Sequence, residues 1–134
     1  MKINKLILLV IPVLLLSSCS DEIETGQSGL LGSWTNEQVN DSILTFQRTA
    51  SLSDNKYGFT FDSSGKFVER TISGWCATPP VSYVNNQGSW TRYKDTVFIS
   101  TTFWGGTATY KWKILSVDKF SLKLCKISEK YTEK

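Results

Sequence analysis

"FTFDSSGKFVERTI", residues 59 to 72, decides how the rest of the chain is read. Phe59 and Phe61 alternate with Thr60, Asp62-Ser63-Ser64-Gly65 breaks the run, and Phe67, Glu69 and Thr71 then alternate with Val68, Arg70 and Ile72. A period of two on both sides of a turn cluster is a β-hairpin pattern. The Asp and Ser side chains can bond local backbone there, and Gly65 accepts a positive φ. The period leaves one choice open at its centre. Neighbours on a strand point to opposite faces, so either Glu69 or Arg70 faces the interior.

Working outward, similar runs recur at residues 43–48, 81–84, 89–93, 96–102, 107–115 and 120–127. Turn signals stand at Asp54-Asn55, Asn85-Asn86, Lys94-Asp95, Gly105-Gly106 and Asp118-Lys119. After Gly29 no stretch of ten or more residues keeps apolar positions at helical spacing, and residues 35–42 leave room for one short helical turn. The chain is therefore expected to be all-β, with about eight antiparallel strands. Such strands either close into a small barrel, which removes exposed edges, or stack as a β-sandwich.

The first residues follow another logic. Lys2 and Lys5 precede an apolar run over residues 6 to 16, with small residues after it, as in a secretory signal peptide. The run is about half the ~20 residues that a membrane-spanning helix needs. Leu16-Ser17-Ser18-Cys19 resembles the lipobox of bacterial lipoproteins, in which the cysteine receives a diacylglyceryl group, the preceding peptide is removed and the new amino group is often acylated, with palmitate-like chains. Two such chains make anchoring stable where one is marginal. Ser20-Asp21-Glu22-Ile23-Glu24 resembles the acidic export signal of Bacteroidota lipoproteins displayed on the cell surface. The reading is a signal peptide over 1–18, an acidic, flexible tether over 19–29 beginning at lipidated Cys19, and one domain over 30–134. The expected place is the outer membrane, lipid-anchored and surface-exposed, with a periplasm-facing orientation as the alternative.

Taking 18 from 134 leaves 116 residues, enough for one modest core. Without Lys2 and Lys5 the 15 basic residues become 13 against 12 acids, so the formal charge is +1. No basic cluster interleaved with aromatics stands out, and nucleic acid is not an expected partner. Cys76 and Cys125 are a candidate disulfide in an exported chain. Closing that loop is worth roughly 4 kcal/mol on a chain-entropy model. Two buried thiols that never meet are the alternative.

Leu30-Leu31-Gly32-Ser33-Trp34 carries a further resemblance. A Gly-x-Trp opening the first strand is the lipocalin signature. The order Phe59-Thr60-Phe61-Asp62-Ser63-Ser64-Gly65-Lys66-Phe67, then Gly88-Ser89-Trp90, Tyr110-Lys111-Trp112-Lys113-Ile114 and Phe120-Ser121-Leu122-Lys123-Leu124 is similar to the lipocalin-like domains of Bacteroidota lipoproteins. The likeness spans residues 30 to 126. It implies an eight-stranded barrel with Gly32 and Trp34 at its closed end, and a pairing of Cys76 with Cys125 would match it. Larger lipocalins often pack a late arginine over that tryptophan; here the last arginine is Arg92.

An eight-stranded barrel is just wide enough to fill with its own side chains or to hold one small ligand. Five Trp, five Tyr and seven Phe supply mostly core. Trp75, Phe103 and Trp104 lie in turn-rich segments, and a large ring there needs a pocket or a partner. With Tyr83 close behind, and with Glu69 or Arg70 facing inward, they are the candidate ligand-binding residues. The chain has no histidine, which removes the commonest general base and metal ligand. Two cysteines are too few for a cysteine zinc site. No enzyme activity, cofactor or metal is expected. Two readings follow: a barrel that binds a small, mostly apolar molecule at its open end, or a filled β module that contacts another envelope protein as an inhibitor or accessory subunit.

Overall fold

The computed structural model describes residues 28–73 and 81–134. Its eight strands close into one antiparallel barrel: β1 (Gly32–Asn40), β2 (Ile43–Thr49), β3 (Gly58–Phe61), β4 (Lys66–Ile72), β5 (Tyr83–Tyr93), β6 (Thr96–Phe103), β7 (Gly106–Val117) and β8 (Ser121–Glu133). The sandwich alternative is thereby excluded. Around the barrel the order is β1-β2-β8-β7-β6-β5-β4-β3. Strands β3 to β8 form a meander, and the β1–β2 hairpin is set in reversed, so that β1 pairs with β3 and β2 with β8. An up-and-down barrel of the lipocalin kind needs no such crossing.

The crossing is made by residues 50–57, which lead from β2 past β1 to β3. They bring Leu52 against Gly58, where any side chain would also meet the Trp34 carbonyl. Ser33 and Thr35 are buried although Trp34 between them faces the interior. A 2.7 Å hydrogen bond joins Ser33 Oγ to Thr60 Oγ1 on this covered face.

Two expectations are corrected. Residues 35–42 form no helical turn; β1 runs on to Asn40 and absorbs one extra residue, with Asn36 at φ 57°. Asn tolerates that conformation better than most residues, and its Nδ2 donates to Gln47 Oε1 at 2.9 Å. Asn85-Asn86 form no turn either, because β5 is continuous. Both amides are satisfied across to β4: Arg70 Nε donates to Asn85 Oδ1 at 2.8 Å, and Asn86 Nδ2 donates to Thr71 Oγ1 at 3.0 Å. Turn chemistry was read where cross-strand chemistry operates.

The hairpin of residues 59 to 72 forms as its period requires. Asp62 Oδ1 accepts from the Ser64 N–H at 2.8 Å, and Gly65 sits at φ 87°. Phe59, Phe61 and Phe67 enter the core fully buried. Phe59 lies 4.8 Å from Phe46, 5.4 Å from Phe61 and 5.2 Å from Trp112, ring centre to ring centre. Each such pair adds about 0.5–1.5 kcal/mol beyond the burial itself. Trp90 closes the layer below, 4.9 Å from Phe61, its Nε1 donating to the Asp62 carbonyl at 3.0 Å.

One end is sealed. Trp34 is wholly buried and its Nε1 donates to the Leu30 carbonyl at 2.9 Å, which fixes the chain segment that passes beneath the barrel. The arginine over this tryptophan comes from β2: Arg48 lies 4.2 Å above the ring. Its guanidinium donates to the carbonyls of Gly29, Leu31 and Lys119, tying the N-terminal segment to the β7–β8 turn.

Candidate functional site

The other end is open. A chamber of about 430 Å³ descends from the rim, lined by Glu37, Tyr57, Glu69, Thr71, Ile72, Tyr83, Phe103, Trp104, Tyr110 and Tyr131. That is an ordinary size for a small-molecule site. Its floor rests on the aromatic layer: Tyr110 stacks on Trp112 at 5.4 Å with the rings 4° from parallel. Its upper wall is a chain of rings, with Phe103 5.7 Å from Trp104 and 5.3 Å from Tyr131, edge to face.

Glu69 settles the choice left open by the hairpin. It faces the interior and is only 4% exposed, whereas Arg70 faces outward to Asn85, the Ser53 carbonyl and Asp54. Both carboxylate oxygens are occupied: Tyr57 Oη donates to Oε2 and Tyr110 Oη to Oε1, each at 2.9 Å. The Tyr110 bond spans the lumen from β7 to β4. Burial pushes the Glu69 carboxyl above the usual carboxylate range, and the two phenol donors only partly offset it. Burial first, and the Glu69 charge second, raise both phenols, so they remain donors at neutral pH.

Two β-bulges furnish the open half. On β1, the extra residue between Thr35 and Gln38 reverses which side chains point inward, and Glu37 enters the chamber. On β8, Lys111 and Trp112 pair with Ser128 and Lys126, so Ile127 is the extra residue and the inward positions pass from Leu122, Leu124 and Lys126 to Glu129 and Tyr131. Glu129 there bonds Lys126 Nζ at 3.1 Å and accepts from Tyr131 Oη at 3.3 Å. Among the described residues no cluster of three His, Cys, Asp or Glu is placed to hold a metal.

Of the candidates read from sequence, the fold brings Glu69, Tyr83, Phe103 and Trp104 to one chamber and leaves Arg70 outside it. Gly32 and Trp34 lie at the sealed end. Trp75 and Cys76 lie outside the described residues, as does Cys19; Cys125 is half-buried on β8 and has no disulfide partner among the described residues. Sequence reasoning missed Tyr57, Tyr110, Tyr131 and Glu37. Tyr110 shares the parity of the inward-facing Trp112 and was legible as inward-facing. Glu37 and Tyr131 were not, because a bulge leaves no trace in a period-two pattern.

A sealed floor, aromatic walls and, among the described residues, one buried acid define a small closed β-barrel with a chamber at one end. No family model, curated protein or solved structure matches the chain.

Proposed function

We propose that the chain is a lipid-anchored envelope lipoprotein whose barrel binds a small, mostly apolar molecule at its open end, without catalysis. The observation that carries this reading is the one-ended chamber itself: a filled barrel would have no void of about 430 Å³ walled by Tyr83, Phe103, Trp104 and Tyr131. The other reading, a filled module that docks on an envelope protein, requires the solid interior found only in the lower half.

The test is titration of the soluble domain with N-phenyl-1-naphthylamine, an apolar dye that brightens when desolvated. Saturable binding at one site, weakened by Trp104→Ala and by Tyr83→Ala, is expected; no saturable binding refutes the reading. For the anchor, Cys19→Ala should release the full chain from membranes, and its continued fractionation with them would refute lipidation. Protease shaving of intact cells separates surface display from a periplasm-facing orientation.

A further inference from the structure

Charge within the chamber is one-sided. Glu37 and Glu69 line it, Glu129 stands beside Tyr131, and no lysine or arginine is among the lining residues. The nearby cation, Lys126, is taken up by Glu129 at 3.1 Å and by the face of Trp112 at 5.7 Å. Among the described residues no lysine or arginine forms an ion pair with Glu69. A buried carboxylate is normally paired. This one is hydrogen-bonded by two neutral phenols and feels Lys126 only from beyond ion-pair distance, and each of its oxygens keeps lone-pair capacity, since a carboxylate offers about four acceptor sites.

We infer that the molecule bound here is an amphiphile with a protonated amine on an aromatic or alkyl body, the ammonium seated on Glu69 between Tyr57 and Tyr110 and the body against Phe103, Trp104 and Tyr131. The ammonium supplies the missing counter-charge in a site already screened from water. The rings of Tyr110 and Tyr131, 6.1 Å apart centre to centre and edge to face, add cation–π attraction where a face is turned to the ammonium. An anionic head would meet two or three carboxylates and no free cation in the lining. A neutral head could bond Glu69 yet leave its charge unpaired. The inference rests on the binding role proposed above and names the chemistry of its ligand.

The experiment uses tryptamine, tryptophol and indole-3-acetate, three side chains on one indole body, measured by calorimetry against the soluble domain at neutral pH. Tryptamine is expected to bind about tenfold or more tighter than tryptophol, with indole-3-acetate weakest. Glu69→Gln should bring tryptamine down to the level of tryptophol. On the wild type, tryptamine affinity should fall as acidification protonates Glu69, whose carboxyl burial holds above its ordinary range. The groups facing Glu69 are Tyr57, Tyr110 on β7, Asn86 on β5, and Lys126 and Glu129 on β8. Glu69→Gln discriminates among their contributions to the pH profile, and Tyr110→Phe serves should that variant fail to fold. Equal or reversed preference in the wild type overturns the inference; dye binding in the same sample then shows that the chamber reading survives it. Loss of dye binding as well overturns both.

Discussion

Glu69→Gln should make the free protein more stable at neutral pH. The carboxylate is 4% exposed and forms no ion pair, so its ionised form is held in the interior by two phenol bonds of 2.9 Å each. Hydrogen bonds to a charged group contribute about 1.5–3 kcal/mol each, so two offset about 3–6 kcal/mol. The desolvation of a buried ion is several kcal/mol even after relaxation, and the upward shift of this carboxyl means that burial outweighs the two bonds, so the charge is held at a net cost. Glutamine keeps the shape, accepts one phenol proton and donates to the other oxygen, removing the charge alone. The sign follows from linkage. The folded state raises this carboxyl's pKa, so its stabilising contribution is complete below the unfolded pKa and is lost as pH rises through the folded one. The gain from Gln should therefore be near zero at an acid pH below the unfolded pKa and full at a pH above the folded one. For a domain of about 100 residues, each 1 kcal/mol so recovered is a rise of roughly 4–8 °C in Tm. Scanning calorimetry at both pH values measures it. An equal loss of Tm at both would refute the claim that the charge is held at a cost.

Other perturbations separate the remaining parts of the fold. Arg48→Lys should lower stability by about 2–3 kcal/mol in urea unfolding, since a lysine cannot cover Trp34 and reach three carbonyls together. Gly88→Ala should destabilise by about 2–4 kcal/mol, because the added Cβ would lie 2.3 Å from the Ser100 carbonyl where β5 and β6 approach; an unchanged urea midpoint would contradict that closeness. Asp118→Asn should weaken the β7–β8 turn at neutral pH. The Phe120 and Ser121 N–H groups hold Asp118 below its ordinary range, so its contribution is present above the unfolded pKa and lost as pH falls through the folded one; the gap between variant and wild type should close in acid.

Much of the barrel was legible because local signals and the global fold agree. The hairpin of residues 59 to 72 and the inward parity of Tyr110, Trp112 and Ile114 follow from period and turn chemistry, and the place of the Gly-x-Trp segment at the closed end was implied by the lipocalin resemblance. The failures have one cause, that tertiary pairing rewrites local preference. Asn85 and Asn86 look like a turn until Arg70 and Thr71 are brought opposite them. Residues 35–42 suggest a helical turn because the bulge in β1 breaks the alternation that marks a strand. Tyr57 could not be placed in the site, since its position depends on the crossing over β1, a pairing far apart in sequence. Glu69 was visible as one of two inward candidates, and geometry chose it.

The same devices explain why, among the described residues, the chamber opens above Glu69 and the rings pack below it. Below it the inward positions fall on large rings and leucines, which meet across the lumen and leave no space: Phe46, Phe59, Phe67, Trp112, Leu122 and Leu124 are all wholly buried. Above it the bulges of β1 and β8 hand the inward positions to Glu37, Glu129 and Tyr131, side chains whose polar ends favour solvent over a dry core. No apolar layer can close over such a set, so a rim remains open. Glu69 stands at the boundary, strapped across the lumen to Tyr110. The rigidity of the floor thus keeps the chamber's acid fixed in place, and a preorganised charge is what gives a small site its selectivity.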